Sequence, residues 1–186
     1  MKKNILGALL ALSATLWGAE AKETKILPIF AEGYCATPTV ALMGGIINFD
    51  DSSEQDGAYG IELGFACPVF QIQDLEINQV LSFVHSDENG LETNSLEMNP
   101  RIMFALNDKT KFGFGPGLGV VFAKANGQNE TLFGVNAGAS LQYDITKDVF
   151  VGFESRYQWT QDAEFVSGVH TDMNNFRNML KLGTHF

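Results

Sequence analysis

Positive charge is scarce in this sequence. Its 12 Lys and Arg residues stand against 22 Asp and Glu residues, which gives a formal net charge of −10 at pH 7. Proteins that bind nucleic acid cluster Lys and Arg against the phosphates, so this composition argues against nucleic acid as a partner. The sequence also has only three histidines, His85, His170 and His185, and they lack the spacing of a metal site. We therefore expect no metal centre and no cofactor.

Long hydrophobic runs are missing after the N-terminus. Beyond residue 21, no stretch offers the roughly 18 apolar residues that a transmembrane helix needs. At the N-terminus, a short positively charged start precedes the apolar run Ile5–Trp17 and a small-residue cleavage pattern at residues 19–21. This order is typical of a signal peptide over residues 1–21, with export of the chain that begins at Lys22; an uncleaved membrane anchor is the alternative. Any membrane span in the mature chain must then be a β-strand.

The feature that dominates the rest of the sequence is an alternation with a period of two, the period of a β-strand. In residues 111–124, for example, Phe112, Phe114 and Leu118 fall on one face and Gly113 and Gly115 on the other. Eight segments alternate in this way: Val40–Phe49, Tyr59–Cys67, Leu75–Phe83, Leu96–Leu106, Lys111–Lys124, Phe133–Tyr143, Val149–Trp159 and Phe176–Phe186. We predict eight strands, with ten as the alternative number.

The two faces of these strands differ in chemistry. One face is apolar and carries aromatic residues near both strand ends, as in the aromatic girdles of outer-membrane barrels. The other is rich in Gly, Ala, Ser and Asn, which suit the narrow interior of a small closed barrel. It also holds charged residues that we predict to form a network in the lumen: Glu62, Glu76, Glu97, Arg101, Glu154, Arg156, Arg177 and Lys181. The predicted fold class is all-β, a closed antiparallel up-and-down transmembrane β-barrel over residues 40–186 whose apolar face meets lipid.

The connections between the predicted strands fall into two groups. The group predicted to lie outside the cell has the longer members and most of the acidic residues: Asp50–Gly57, Ser86–Asn94, Ala125–Asn129 and Thr160–Asn174. The periplasmic group comprises Pro68–Asp74, Asn107–Lys109 and Asp144–Lys147, and residues 22–39 form a periplasmic N-terminal segment. The acidic outer surface is either a solvated, mutually repelling surface, a contact to lipopolysaccharide phosphates through divalent cations, or an adhesin-like contact.

The two cysteines, Cys35 and Cys67, are predicted to lie at the same periplasmic rim. Cysteine pairs in exported proteins normally form disulfides because their compartment is oxidising. We predict a Cys35–Cys67 disulfide that holds residues 22–39 against the mouth of the barrel; two free thiols are the alternative. The same segment has two other interpretations, a plug in the lumen or an additional strand.

With its signal peptide, eight alternating strands and terminal Phe186, the sequence resembles the small outer-membrane barrels related to the OmpA transmembrane domain, OmpX and the opacity proteins. The resemblance covers about Val40 to Phe186. It implies a monomer in the cell outer membrane, in contact with outer-membrane lipid and lipopolysaccharide, that folds with the help of periplasmic chaperones and the barrel-assembly machinery. In that family the last strand is the assembly signal, which corresponds here to Leu180, Leu182 and Phe186; Lys181 stands where the family commonly has Gly.

Few residues in this sequence are arranged as a catalytic site would need. His85 and Ser86, with Glu88, are similar to the His, Ser and Glu that lipid A deacylases carry on the outer wall of an eight-stranded barrel. In those enzymes the His and Ser are two positions apart on one face, whereas sequence neighbours on a strand point to opposite faces. We therefore expect a structural or surface-interaction role, adhesin-like or resistance-like, and no enzyme. The alternatives are an outer-membrane lipid-modifying enzyme, a narrow low-conductance porin and a soluble lipid-carrying barrel.

Overall fold

The computed structural model describes residues 24–186 except residues 51, 53, 54, 89, 167, 168 and 172. Its strands are, in chain order, β1 (Thr24–Ile26), β2 (Thr39–Phe49), β3 (Asp56–Ala66), β4 (Phe70–Ile72), β5 (Glu76–Glu88), β6 (Leu91–Asn107), β7 (Thr110–Ala125), β8 (Gln128–Asp144), β9 (Val149–Thr160), β10 (Ala163–Val166), β11 (Val169–Thr171) and β12 (Asn175–His185). A single 3₁₀ turn in these ranges spans Pro28–Phe30. Within the same ranges, no helix is long and apolar enough to cross a membrane.

In this described part of the chain, eight strands close into one barrel in the order β2-β3-β5-β6-β7-β8-β9-β12. All neighbouring strands are antiparallel, and β12 pairs with both β9 and β2 to complete the circle. The predicted fold class and the number of eight barrel strands are confirmed. The alternative of ten barrel strands is wrong, because the remaining short strands pair among themselves, β1 with β4 and β10 with β11.

The alternation of the sequence becomes the inside and the outside of the barrel. In β7, the side chains of Leu118 and Phe122 are exposed on the outer wall, whereas Gly117, the residue before Leu118, is buried on the lumen side. A Cβ atom on Gly117 would lie 1.9 Å from Asn99 Oδ1 and 2.3 Å from Asn136 Oδ1. Glycine is required at this position because polar side chains from the two neighbouring strands already fill the lumen.

The outer wall is apolar around the whole barrel. Each barrel strand exposes large hydrophobic side chains, for example Leu42, Ile61, Phe83, Leu96, Leu118, Val135, Phe153 and Leu182. Side chains of this kind are stabilised by hydrocarbon, and a closed barrel also satisfies its backbone hydrogen bonds internally, as a membrane requires. A soluble lipid-carrying barrel would instead have a polar exterior.

The connections differ in part from the predicted ones. We call the end with the β2–β3, β5–β6, β7–β8 and β9–β12 connections the outer end, and the opposite end the inner end, following the predicted orientation. β5 continues to Glu88 and β6 begins at Leu91, so the predicted loop Ser86–Asn94 is mostly strand. Between β7 and β8, Asn126 and Gly127 have φ angles of 53° and 77°, which are typical of a two-residue hairpin turn. At the outer end, polar residues therefore continue the strands instead of ending them.

The predicted N-terminal segment 22–39 is described from residue 24 and lies against the rim at the inner end. β1 pairs with β4, which forms within the predicted connection Pro68–Asp74. Closer to the barrel, Tyr34 Oη donates to Ala66 O at 2.7 Å and Ala66 N donates to Ala36 O at 2.8 Å. The segment thus adds a short strand to β4 and not to the barrel. The predicted signal peptide, residues 1–21, lies outside the described residues.

Candidate functional site: the ion-paired lumen

Four charged side chains from four strands meet in the lumen. Arg101 on β6 donates to Glu62 Oε1 and Oε2 on β3 at 3.3 and 2.8 Å, and Arg101 Nη2 also donates to Glu154 Oε2 on β9. Lys181 on β12 donates to Glu154 Oε2 at 2.6 Å and to Glu62 Oε2. All four side chains are more than nine-tenths buried. Each carboxylate therefore bridges the same two cations, which makes a closed ring of ion pairs that ties four strands together.

Arg156 extends this ring towards the outer end. Its Nε donates to Glu154 Oε1 at 3.0 Å, and its Nη1 donates to Asn136 Oδ1 at 2.5 Å and to Asn99 Oδ1 at 3.3 Å. Asn99 Nδ2 donates in turn to Glu97 Oε2 at 3.2 Å. Buried amides thus connect the ring to a second group of charges.

Glu97 is the centre of that second group. Its Oε1 accepts hydrogen bonds from Gln158 Nε2 at 3.1 Å and from Arg177 Nη2. Asn175 Nδ2 donates to Gln158 Oε1 at 3.1 Å. These amides were not predicted as part of the site. Asn99, Asn136 and Gln158 nevertheless occupy lumen-facing positions of the predicted strands, and Asn175 directly precedes the last of them.

Glu76 lies apart from this network. It is the first residue of β5, at the inner end, and its carboxylate accepts hydrogen bonds from Lys111 Nζ at 2.9 and 3.1 Å. The Glu76 side chain is 45% exposed, whereas the other seven predicted lumen residues are buried. Glu76 faces the lumen as predicted but does not join the charge network, because the alternation gives the face of a residue but not its depth along the barrel axis.

The lumen is not polar along its whole length, which corrects the predicted polar filling. Towards the outer end, a hydrophobic cluster fills it: Met43, Ile47, Phe49, Ala58, Val84, Val121, Ala123, Leu132, Met173 and Met179. The barrel strands contribute all of these except Met173, which precedes β12. Towards the inner end, a cavity of about 530 Å³ is lined by Glu62, Arg101 and Lys181 from the ring and by Glu76 and Lys111. The ion pairs therefore lie between an apolar cluster and an inner cavity of mixed polar and apolar lining.

The last strand divides its residues between the two sides of the wall. Leu180, Leu182 and Phe186 are exposed on the outside, and Phe186 N donates to Pro38 O at 3.0 Å. Lys181 points into the lumen and is held by Glu62 and Glu154. The departure from Gly at this position therefore has a structural reason. The role of Leu180, Leu182 and Phe186 as an assembly signal stays a prediction.

The two cysteines are free in the structure, so the predicted Cys35–Cys67 disulfide is corrected. Cys67 is buried and its N donates to Ile77 O at 2.8 Å, whereas Cys35 is exposed. Desolvation, followed by the Cys67 and Cys35 side chains, raises the pKa of the Tyr34 phenol above its usual value. The segment is held to the rim by backbone and tyrosine hydrogen bonds instead of a covalent link.

His85 and Ser86 lie on opposite sides of β5. His85 is on the outer wall, where its Nδ1 is 2.8 Å from Asn94 Oδ1 and its ring contacts Tyr59. Ser86 is buried on the lumen side and its Oγ donates to Gly57 O at 2.9 Å. The side chain of Glu88 lies outside the described residues. Among the side chains that are described, no three from His, Cys, Asp and Glu are grouped closely enough to hold a metal ion.

Comparisons with known proteins agree with this geometry at the level of the fold. No family model and no curated protein matches the sequence. Among solved structures, the N-terminal β-barrel domain of Pseudomonas aeruginosa OprF matches 82% of this chain and 100% of that chain, with a TM-score of 0.55 and 15% identity. Neisserial surface protein A matches 80% of this chain and 94% of that chain, with a TM-score of 0.53 and 16% identity. The outer membrane enzyme PagL matches 78% and 97%, with a TM-score of 0.50 and 16% identity. The chain has the fold of the small outer-membrane β-barrels.

The shared position of Glu154 makes the ring testable by one substitution. Glu154→Gln removes the negative charge that Arg101, Arg156 and Lys181 share; Arg156 then loses its carboxylate partner, and Arg101 and Lys181 keep only Glu62. Breaking a buried ion pair by removing one partner costs about 3–5 kcal/mol. We expect a decrease of this size in the free energy of unfolding, measured by urea titration of the protein folded in lipid vesicles.

Glu76→Gln is the matched control, because it removes a carboxylate from the half-exposed pair with Lys111. An exposed pair contributes about 1 kcal/mol or less, so this variant should unfold close to the wild type. If Glu154→Gln and Glu76→Gln unfold at the same urea concentration, the ring does not stabilise the barrel.

Proposed function

We propose that this protein is a monomeric outer-membrane barrel with a structural or surface-interaction role. The observation that supports the proposal most strongly is the combination of an apolar outer wall with a lumen filled by ion pairs and an apolar cluster. The wall suits lipid, and the filling makes the barrel a rigid support for whatever its outer end presents. Assembly by periplasmic chaperones and the barrel-assembly machinery, guided by Leu180, Leu182 and Phe186, belongs to the same proposal.

The filling of the lumen also argues against the porin alternative. A solute that entered the inner cavity would meet the ring of Glu62, Arg101, Glu154 and Lys181 and then the hydrophobic cluster. Eight strands enclose an interior just wide enough for side chains, so passage would need both layers to rearrange. We therefore propose no transport role for this protein.

The outer end offers acidic groups to a partner. Asp50, Asp87 and Asp162 are exposed there, and Glu92 is 38% exposed beside Lys124, whose Nζ is 3.8 Å away. Carboxylates at the level of lipid head groups can share divalent cations with the phosphates of lipopolysaccharide, because hard cations prefer oxygen ligands. Lipopolysaccharide is therefore the partner we propose for this surface.

One observation argues against the enzyme alternative, and one similarity of fold supports it. His85 and Ser86 are separated by the barrel wall, so they cannot form the hydrogen bond that activates a serine nucleophile. The likeness to PagL, which is described as an outer membrane enzyme, is one of fold. We therefore propose that this protein has no lipid-modifying activity.

Lipopolysaccharide binding should depend on divalent cations and on the acidic outer end. We expect the purified barrel in detergent to bind lipopolysaccharide more tightly with Mg²⁺ than with a chelator, measured by calorimetry. The double variant Asp87→Asn, Glu92→Gln should lose most of the Mg²⁺-dependent affinity, while Glu76→Gln at the inner end keeps it. Equal binding by all three proteins would contradict the proposed partner.

Lipid A composition tests the enzyme alternative. In a Gram-negative strain that expresses the intact protein, mass spectrometry of lipid A should show the same species as in the strain without it. The variants His85→Ala and Ser86→Ala should also leave the spectrum unchanged. A new lipid A species that appears with the intact protein and disappears with either variant would overturn the proposal in favour of the enzyme.

A further inference from the structure

An apolar patch is exposed at the inner end of the molecule, outside the barrel strands. Six large hydrophobic side chains of the N-terminal segment and of the β3–β5 connection form it, and we call them the rim patch: Ile26, Leu27, Ile29, Phe30, Val69 and Phe70. Phe30 is 85% exposed and Ile26 is 79% exposed. Residues 24–31 and 66–73 contain a single charged residue, Lys25. Exposed apolar patches of this kind mark contacts with proteins or membranes.

The residues of the rim patch are neighbours in space. Ile26 is paired with Phe70 between β1 and β4, and opposite residues of an antiparallel pair share one face. Leu27 N donates to Val69 O at 2.7 Å, which places the next two patch residues side by side. The 3₁₀ turn then brings Phe30 back, since its N donates to Leu27 O at 3.1 Å. None of the six patch residues lines the inner cavity, so the patch is not turned into the barrel.

Just beyond the inner ends of β3 and β5, two outward-facing residues are covered. Cys67 N donates to Ile77 O, which continues the β3–β5 ladder by one step beyond the pair Ala66–Asn78. Ala66 and Asn78 line the inner cavity, so Cys67 and Ile77 occupy outward-facing positions. Both are nevertheless buried, at 1% and 3% exposure. The outer wall is therefore covered by other residues of the chain at this point.

The N-terminal segment is the part of the chain that passes there. It is hydrogen-bonded on both sides of Cys67, through Leu27 N to Val69 O and through Tyr34 Oη to Ala66 O. The segment therefore lies on the lipid side of the rim, where it replaces lipid against the wall.

The apolar outer wall reaches the inner connections elsewhere on the barrel. Exposed apolar side chains lie beside the other connections of this end: Leu106 before the β6–β7 turn, Ile145 in the β8–β9 turn and Phe186 after β12. Aromatic residues such as Phe186 are typical of the level at which a barrel meets the lipid head groups. The rim patch, with Phe30 and Phe70, continues this lipid-facing surface around the β3–β5 side of the rim.

We propose that the rim patch inserts into the inner leaflet of the outer membrane, where its side chains contact the phospholipid acyl chains close to the head groups. An apolar surface at this level is stabilised by lipid, as in helices that lie in the plane of a membrane. Lys25 is exposed on β1 and can extend its ammonium group to the head-group phosphates. The lipid contact holds the N-terminal segment on the barrel without a covalent link. The proposal is independent of the role proposed above for the outer end, because the patch lies at the opposite end of the barrel.

Isoleucine methyl groups allow a test on the unmodified protein. In a phospholipid nanodisc, acyl-chain nuclear Overhauser effects should reach the methyl groups of Ile26 and Ile29. They should also reach Ile61 on the outer wall of β3, and they should not reach Ile47, which is buried in the lumen. Acyl-chain contacts at Ile61 with none at Ile26 and Ile29 would overturn the proposal. Contacts of Ile26 and Ile29 with a second, differently labelled copy in place of lipid would overturn it in favour of a dimer interface.

The buried Cys67 thiol reports whether lipid holds the segment in place. The double variant Ile29→Ser, Phe30→Ser changes two exposed side chains, so the barrel should fold as before. In nanodiscs, we expect alkylation of Cys67 by a water-soluble maleimide to become faster by about tenfold or more, because serine removes the apolar contact with lipid. Mass spectrometry of the peptides separates Cys67 from Cys35.

Two controls accompany this variant. Ile29→Leu with Phe30→Leu keeps the patch apolar and should keep the wild-type rate at Cys67. Leu106→Ser removes an exposed apolar side chain at the same end but away from the segment, and it should also leave the rate unchanged. Equal rates at Cys67 in the serine double variant and in the wild type would contradict the proposed anchor.

Discussion

The constraint on which this structure depends is that hydrocarbon does not solvate charge. An Arg or Lys at the middle of the bilayer on the lipid side of a barrel costs about 2–4 kcal/mol, so a strand that carries such residues must turn them inward. Inside a narrow lumen the same charges are stable only when they are paired, because burial removes their hydration. Arg101, Glu62, Glu154 and Lys181 meet both conditions, and the ring that they form links strands far apart in the sequence.

The layers of the lumen follow from this arrangement. The ring occupies the section between the inner cavity and the apolar cluster, and the amides of Asn99 and Asn136 connect it to Glu97. The glycines of β7 make room for these side chains, as the close approach at Gly117 shows. The side chains of the interior therefore connect the strands that end at the outer end.

Much of this organisation is readable from the sequence, because a period of two assigns each strand residue to one side of the wall. That rule correctly predicts the barrel, the lumen side for Arg156 and the outer side for Leu182. It gives no depth, which is why Glu76 is placed in a network that it does not join. The same rule predicts loops where polar residues continue a strand, as at Ser86–Asn94. Asp56 was predicted to lie in the acidic outer loop Asp50–Gly57, whereas its side chain is buried. The cysteine pairing could not be predicted because it depends on the three-dimensional path of residues 34–38.

The most direct test of the account compares lipid contacts of residues on the same strand. In the deuterated protein with labelled methyl groups, nuclear Overhauser effects from the acyl chains of a surrounding bilayer nanodisc should reach Leu118 and Leu182. They should not reach Val121, which shares β7 with Leu118, or Met179, which shares β12 with Leu182. Acyl-chain contacts at Val121 and Met179 together with none at Leu118 and Leu182 would mean that the wall faces the other way, and the account would be wrong.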